Sequence, residues 1–218
     1  MAPYFCAVMK KAGNKKDTPE ANAEERIKEA ARKVFTQKGF KATRTRDIAQ
    51  EAGINLALLN YYFRSKEKLF DLIMRENLQQ FMRGVYLISH SEQTNWQQKI
   101  DLLVNYYIDI LLVNPGLPLF VINEINNNPA KLTGMLTRET QLMESVFMQQ
   151  IQQAIKKGEI RNTHPLQLVV NMMGLTIFPF VAAPMLKMLG KMSDDEFKKM
   201  MEQRRLLVPG WIKQTMSI

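Results

Sequence analysis

Between residues 44 and 66 the chain gathers Arg44, Arg46, Asn55, Asn60, Tyr61, Arg64 and Lys66. Guanidinium, ammonium, phenol and carboxamide groups at this density suit one task. They donate hydrogen bonds to phosphate oxygens and to the edges of bases. Other chemistries are poorly supplied. One cysteine, Cys6, and two histidines, His90 and His164, leave too few ligands for a four-coordinate zinc site. They also leave a thiol, hydroxyl or imidazole triad short of members. The carboxylate pairs Glu139/Glu144 and Asp194/Asp195 fall in no recognisable acid–base constellation. Both histidines lie near predicted helix ends and read as surface residues or caps. The expectation is a protein that is not an enzyme, with no cofactor and no metal. A lone cysteine forms no internal disulfide, which fits a reducing cytoplasm.

The charge supports the same task. The 218 residues carry a formal net charge of +9. Residues 1–68 hold 15 Lys+Arg against 8 Asp+Glu, whereas residues 69–218 hold 15 against 13. A basic segment beside a near-neutral one reads as a polyanion-binding module joined to something else. A solvated basic face is the bland alternative. At 46% hydrophobic and 23% charged, the chain is long and apolar enough to bury a core, and it is neither fibrous nor disordered as a whole.

The elements that must hold the basic cluster are helices. Residues 10–23 lack an apolar period and read as a mobile basic arm within a segment 1–23, of which the first eight residues look like an extension ahead of Met9. From Glu24, the residues Ile27, Ala30, Ala31, Val34 and Phe35 line one face of a helix that Gly39 stops. A short helix over Thr45 to Glu51 follows, with Thr43 or Thr45 as N-cap. Gly53 ends it, and Asn55 caps a third helix over Leu56 to Phe63. Ala49 is small enough for two helices to cross closely, while Ile54, Leu59 and Tyr62 fill the wedge. This is the spacing of a helix-turn-helix, whose second helix enters the DNA major groove. A plain helical hairpin inside a bundle buries similar positions. Ser65 caps a fourth helix running to about Ile88, long enough to bridge two domains.

The run Gly39 to Ile48, continuing Ala49-Gln50-Glu51-Ala52-Gly53-Ile54-Asn55 and then Leu59-Asn60-Tyr61-Tyr62-Phe63-Arg64-Ser65-Lys66-Glu67-Lys68-Leu69, resembles the DNA-binding domain of the TetR (tetracycline-repressor-like) family. The resemblance covers about residues 24–72. It implies an all-α protein with an N-terminal three-helix helix-turn-helix domain (24–70) joined to a C-terminal helical ligand-binding and dimerisation domain (71–218). It implies a homodimeric repressor that leaves a pseudo-palindromic operator when a small molecule binds. By position, Thr43, Tyr61 and Lys66 would meet phosphates. Arg44, Thr45 and Arg46 would reach DNA from the second helix, and Asn55, Leu56, Leu58 and Asn60 would lie along the recognition helix. The family often has Ser at 55, Gly at 57 and Tyr or His at 60, where this chain has Asn55, Ala57 and Asn60.

Beyond residue 70 the reading stays helical, with no period-2 strand: Trp96 to Val113, Pro118 to Asn126, one long helix from Lys131 to Lys157, an apolar kinked helix or pair after Pro165, and a last helix from Ser193 to about Val208 stopped by Pro209-Gly210. Ser193-Asp194-Asp195-Glu196 is a capping box. Residues 162–186 carry no Lys, Arg, Asp or Glu, but Pro179 and Pro184 break the run, which favours a buried kinked helix over a membrane span. The dimer face is expected on Met172, Met173, Ile177, Phe178, Phe197, Met200, Met201 and Leu207, although these helices could instead pack within one subunit. Thirteen of the 15 methionines follow residue 70 and suit an adaptable apolar pocket. Tyr106, Tyr107, Phe120, Asn123, Met143, Phe147 and Met173 are the expected lining, for an apolar or aromatic effector. The alternatives are an architectural DNA binder of low sequence preference, an activator, and a membrane-bound regulator that inserts 165–186.

Overall fold

The computed structural model describes residues 19–127 and 129–217. Eleven α-helices follow one another, and no strand occurs among the described residues. They are α1 Pro19–Ala42, α2 Thr45–Glu51, α3 Leu56–Phe63, α4 Lys66–His90, α5 Trp96–Val113, α6 Leu117–Asn127, α7 Pro129–Thr140, α8 Val146–Lys156, α9 Pro165–Val181, α10 Ala183–Gly190 and α11 Asp194–Met216. The chain divides into two compact units at Asp71/Leu72, inside the continuous α4. Most of the expected basic arm lies outside the described residues, and its last five residues, 19–23, are already part of α1.

In the first unit α1 buries Ile27, Ala30, Ala31, Val34 and Phe35, the five positions of its apolar period. Gly39 does not stop this helix outright. It takes φ 74°, ψ 161°, a left-handed kink open to glycine, and the chain resumes a last helical turn to Ala42. Ile48, Ala49, Ala52, Leu59 and Phe63 close the core from α2 and α3. Phe70 adds an aromatic lid, with ring centroids 5.1 Å from Phe35 and 4.7 Å from Phe40.

In the second unit α5 is the central helix. It buries Ile100, Leu103, Val104, Tyr107, Ile108 and Leu111, and it packs against α8, α9 and α11. The α5–α11 seam is tied at its rim by Arg205 to Asp109 (2.6 Å) and Lys213 to Asp101 (2.5 Å). The Ser193/Glu196 capping box starts α11 as its sequence requires: the Glu196 N–H donates to Ser193 Oγ, and the Ser193 N–H donates to Glu196 Oε2. His164 caps α9 through Nδ1, which accepts from the Leu166 N–H at 3.2 Å.

Two sequence expectations change, and one open alternative is decided. The single helix over 131–157 is two helices, because Gln141 is left-handed (φ 42°) and Ser145 starts a new helix by accepting from the Met148 N–H. The final helix runs through Pro209 to Met216, because two further turns bury Pro209 and Ile212. That burial outweighs the one backbone bond a proline removes. The apolar run after Pro165 is a pair, α9 and α10, bent by 69°, with Pro179 inside the first helix and Pro184 opening the second. Among the described residues no single helix is long and apolar enough to cross a membrane, although this pair and α5 with α6 have the length and composition as bent pairs.

Candidate nucleic-acid interface

The interface is built from the α1 terminus outward. α2 starts at Thr45 with Arg44 as its N-cap residue, and not with Thr43 or Thr45 in that role. Thr43 is only 2% exposed, and its hydroxyl donates back to the Gly39 carbonyl at 2.8 Å, closing the end of α1. With that hydroxyl committed, Asp47 does the capping: its carboxylate accepts from the Arg44 N–H at 2.9 Å. This bond, helped by Lys38 at 3.3 Å, holds the Asp47 carboxyl below the usual carboxylate range. Gly53 then turns the chain at φ 63°, and Arg26 donates to the Ala52 carbonyl at 2.6 Å, pinning the turn to α1.

The recognition helix α3 is capped as expected, by Asn55 accepting from the Leu58 N–H at 2.8 Å. That bond commits one oxygen of Asn55 and leaves its NH₂ to face outward. Leu59 and Phe63 point into the core, whereas Asn55, Ala57, Asn60 and Tyr61 are exposed. Tyr61 is 79% exposed, its ring set edge-on to Tyr62 at 5.4 Å. Leu56 and Leu58 are half-buried, so neither is a core residue and each keeps an apolar edge toward the outside. Arg44 and Arg46 are exposed and Thr45 is half-buried. Arg64, at φ 58°, ends the helix in a conformation that costs a non-glycine residue energy.

Two residues predicted to meet phosphates stand differently. Thr43 is buried and internally bonded, so its hydroxyl is not offered to a ligand. Lys66 turns its ammonium inward, donating to the carbonyls of Phe40 and Thr43, both at 3.0 Å. Spacing located both residues but not their partners, because it does not report the direction of a side chain.

The expected dimer and effector residues divide in the same way. Met172, Phe197 and Met201 belong to the second unit's own core, where the Phe197 ring meets Phe180 edge-on at 6.1 Å. Met173, Phe178 and Leu207 are exposed, and Ile177 and Met200 are half-buried. Residues that the sequence reading missed extend this apolar face, among them Met185, Met188, Leu189, Leu206 and Trp211. No periodic signal singles out Leu206, which lies one residue from Leu207 and about 100° away round the helix. Of the expected pocket, Tyr106, Tyr107, Phe120 and Phe147 are buried, while Asn123, Met143 and Met173 are exposed and do not join them. Phe81 stacks flat on Tyr106 at 5.7 Å and meets Tyr107 edge-on at 4.7 Å, so the buried aromatic group is packed against itself.

Burial pushes the Tyr106 phenol up to about 12 and raises Tyr107 as well, first by desolvation and then by its neighbour Tyr106. Burial lowers Lys99, whose ammonium donates to the Thr94 carbonyl and to Gln150 Oε1. The signs oppose. Below pH 10.5 the unfolded chain holds the Lys99 proton more firmly, so stability climbs as pH rises. Above pH 10 the folded chain holds the tyrosine protons more firmly, so stability falls between pH 10 and about 12. Tyr106 alone contributes on the order of 2 kcal/mol to that fall. Urea unfolding followed by circular dichroism at stepped pH checks this; a stability that keeps rising past pH 11 contradicts it.

A three-helix unit with a capped, exposed second helix and a basic outer face defines the chain as a helix-turn-helix DNA-binding protein. Residues 27–73 match the family described as bacterial regulatory proteins, tetR family. The first unit therefore carries the DNA-binding domain of that family of regulators. The chain is 25% identical over 169 residues to the Probable HTH-type transcriptional regulator YttP of Bacillus subtilis (strain 168), spanning 74% of this chain and 79% of that one. It is 39% identical over 64 residues to the HTH-type transcriptional repressor KstR2 of Mycolicibacterium smegmatis, spanning 28% and 31%. The fold is shared with the transcriptional regulator FadR from Bacillus subtilis, solved in complex with stearoyl-CoA. There the TM-score is 0.57 and the identity 16%, over 88% of this chain and 99% of that one. Among the described residues no group of three His, Cys, Asp or Glu side chains is placed to hold a metal ion.

Proposed function

We propose that this chain is a cytoplasmic, non-enzymatic homodimeric repressor that reads a pseudo-palindromic operator and leaves it when a small apolar or aromatic effector binds. The observation that carries the DNA half is the outer face of α3 and the start of α2. Asn55, Asn60 and Tyr61 are exposed at α3, Arg44 and Arg46 are exposed at the start of α2, and Thr45, Leu56 and Leu58 are half-buried. Arginines and the tyrosine hydroxyl serve phosphates, which supply affinity. Asn60 suits the N6/N7 edge of adenine, and the two leucines suit thymine methyls, which supply choice. The dimer half rests on the many exposed apolar residues of α9, α10 and α11, since exposed apolar surface in that number marks an interaction site. Two copies of it would form a symmetric helical interface and present two reading heads. The effector half rests on the second unit's aromatic and methionine-rich interior, and on a shared fold with a regulator solved with an acyl-CoA.

Fluorescence-anisotropy titration of the full chain with its own upstream DNA and with a scrambled duplex, at several salt concentrations, tests this reading. The native DNA is expected to bind far more tightly, with affinity falling as salt rises. Arg46→Ala is expected to weaken both duplexes alike and to lower the salt slope by about 0.9, the value for one released phosphate contact. Asn60→Ala is expected to weaken only the native one. Equal, weak binding to both duplexes by the wild type would instead indicate an architectural binder.

A further inference from the structure

In an α-helix each N–H donates to the carbonyl four residues back. Pro179 lies inside α9 and has no N–H, so the Leu175 carbonyl loses its donor within the helix. A carbonyl left without a partner away from water costs about as much as a lost hydrogen bond. The last helix supplies the replacement. Arg204 of α11 donates from Nη2 to the Leu175 carbonyl at 2.6 Å. This donor is costly in itself. Arg204 is half-buried, and burial pushes its guanidinium below the ordinary arginine value. Its neighbour Arg205 pairs with Asp109 and Glu202, whereas Arg204 has no carboxylate partner among the described residues. It is held instead by the Leu175 carbonyl and by the Trp211 ring, whose centroid lies 5.3 Å from its central carbon. A cation kept without an acid answers the need of the carbonyl.

The place of this bond widens its effect. Three residues beyond Leu175 stands Phe178, and three beyond Arg204 stands Leu207, both exposed. α9 ends at Val181, two residues after Pro179, and α10 leaves it at 69° with Met185, Met188 and Leu189 exposed. The course of the last turn of α9 therefore decides where these side chains are presented. A proline loosens that turn, and the guanidinium from α11 ties it back. We propose that Arg204 is a positioning residue for subunit pairing: it replaces the donor that Pro179 removes and so fixes the end of α9, with its exposed apolar residues, in the arrangement that a second copy of this chain meets. The inference rests on the homodimer proposed above.

The test is a cycle of variants of the full-length protein. Arg204→Met keeps an unbranched stem and removes the charge and the donors. Pro179→Ala gives the Leu175 carbonyl its backbone donor again. Fold is checked by circular dichroism, stability by urea unfolding, and pairing by sedimentation over a concentration series. Arg204→Met alone is expected to weaken pairing by about tenfold, the size of one hydrogen bond to a charged group. In the Pro179→Ala background the same substitution is expected to leave pairing and the urea midpoint unchanged. An equal loss of pairing in both backgrounds would make Arg204 a direct contact to the second copy and overturn the proposal. Unchanged pairing with a lowered urea midpoint would reduce Arg204 to a stability role and overturn it as well. Arg204→Lys keeps one donor and is expected to retain most of the pairing; a loss as large as that of Arg204→Met would also count against the inference. A wild type that sediments as a monomer at every concentration removes the homodimer itself. In that protein the urea midpoints of the cycle would still report whether Arg204 serves the carbonyl that Pro179 leaves.

Discussion

A protein carrying Phe178→Glu together with Leu206→Glu is expected to sediment as a monomer and to lose about a thousandfold in affinity for its operator. Phe178 on α9 is 58% exposed and Leu206 on α11 is 84% exposed, two of the exposed apolar residues that on α10 include Met188 and Leu189. A symmetric interface places each substituted residue twice, so four carboxylates would enter one apolar surface without partners. The loss of operator affinity follows from losing one of two reading heads, since specific binding exceeds non-specific binding by at least about 10³ in such proteins. The secondary structure should survive, because both side chains already face outward. Leu119→Glu on α6, 54% exposed, is the control and should remain dimeric. A double variant that still sediments as a dimer would move the interface elsewhere.

Gly84→Ala is expected to destabilise the second unit by about 1–3 kcal/mol, the cost of forcing a side chain into an occupied space. A Cβ at position 84 would stand 2.2 Å from Cζ and the hydroxyl of Tyr106. Both are parts of a ring 8% exposed, stacked on Phe81 and bonded through its hydroxyl to the Gln80 carbonyl at 3.1 Å. The ring cannot yield without breaking that stack and that bond. The sign should reverse in a Tyr106→Ala background, where the obstacle is gone and alanine gains its helix preference over glycine, about 1 kcal/mol. Chemical denaturation of the four proteins of this cycle reads the coupling directly. A Gly84→Ala cost that persists in the Tyr106→Ala background would mean that something other than the tyrosine fills the space.

The helical fold was legible in the sequence wherever a cap and an apolar period agreed. Asn55 with α3, Ser193 with α11 and the five buried positions of α1 are such cases. The reading failed where a local breaker met a tertiary incentive. Pro209-Gly210 looks like a stop, yet burial of Ile212 carries α11 past it; Ser145 is a cap in the middle of what looked like one apolar stripe. For the interface, residue type and spacing located the outward donors Arg44, Arg46, Asn55, Asn60 and Tyr61. They could not show that Thr43 and Lys66 turn inward, because a threonine hydroxyl or a lysine ammonium serves a carbonyl and a phosphate equally well. The same blindness placed Met172, Phe197 and Met201 on a surface. On an apolar helix the sequence does not say which of two apolar sides meets the chain's own core.

For a dimeric repressor of the kind proposed, the division of the chain at Asp71 has a genetic consequence. The reading helix lies wholly in the first unit and the apolar face wholly in the second, so an allele can lose one and keep the other. An allele encoding Arg44→Ala and Arg46→Ala, with the face intact, would still recruit wild-type chains into mixed pairs. At equal expression only about a quarter of the pairs would carry two sound heads, by random pairing of two kinds of subunit. Such an allele should therefore derepress the regulated gene in a cell that also carries the normal copy, whereas an allele lacking the face should be recessive.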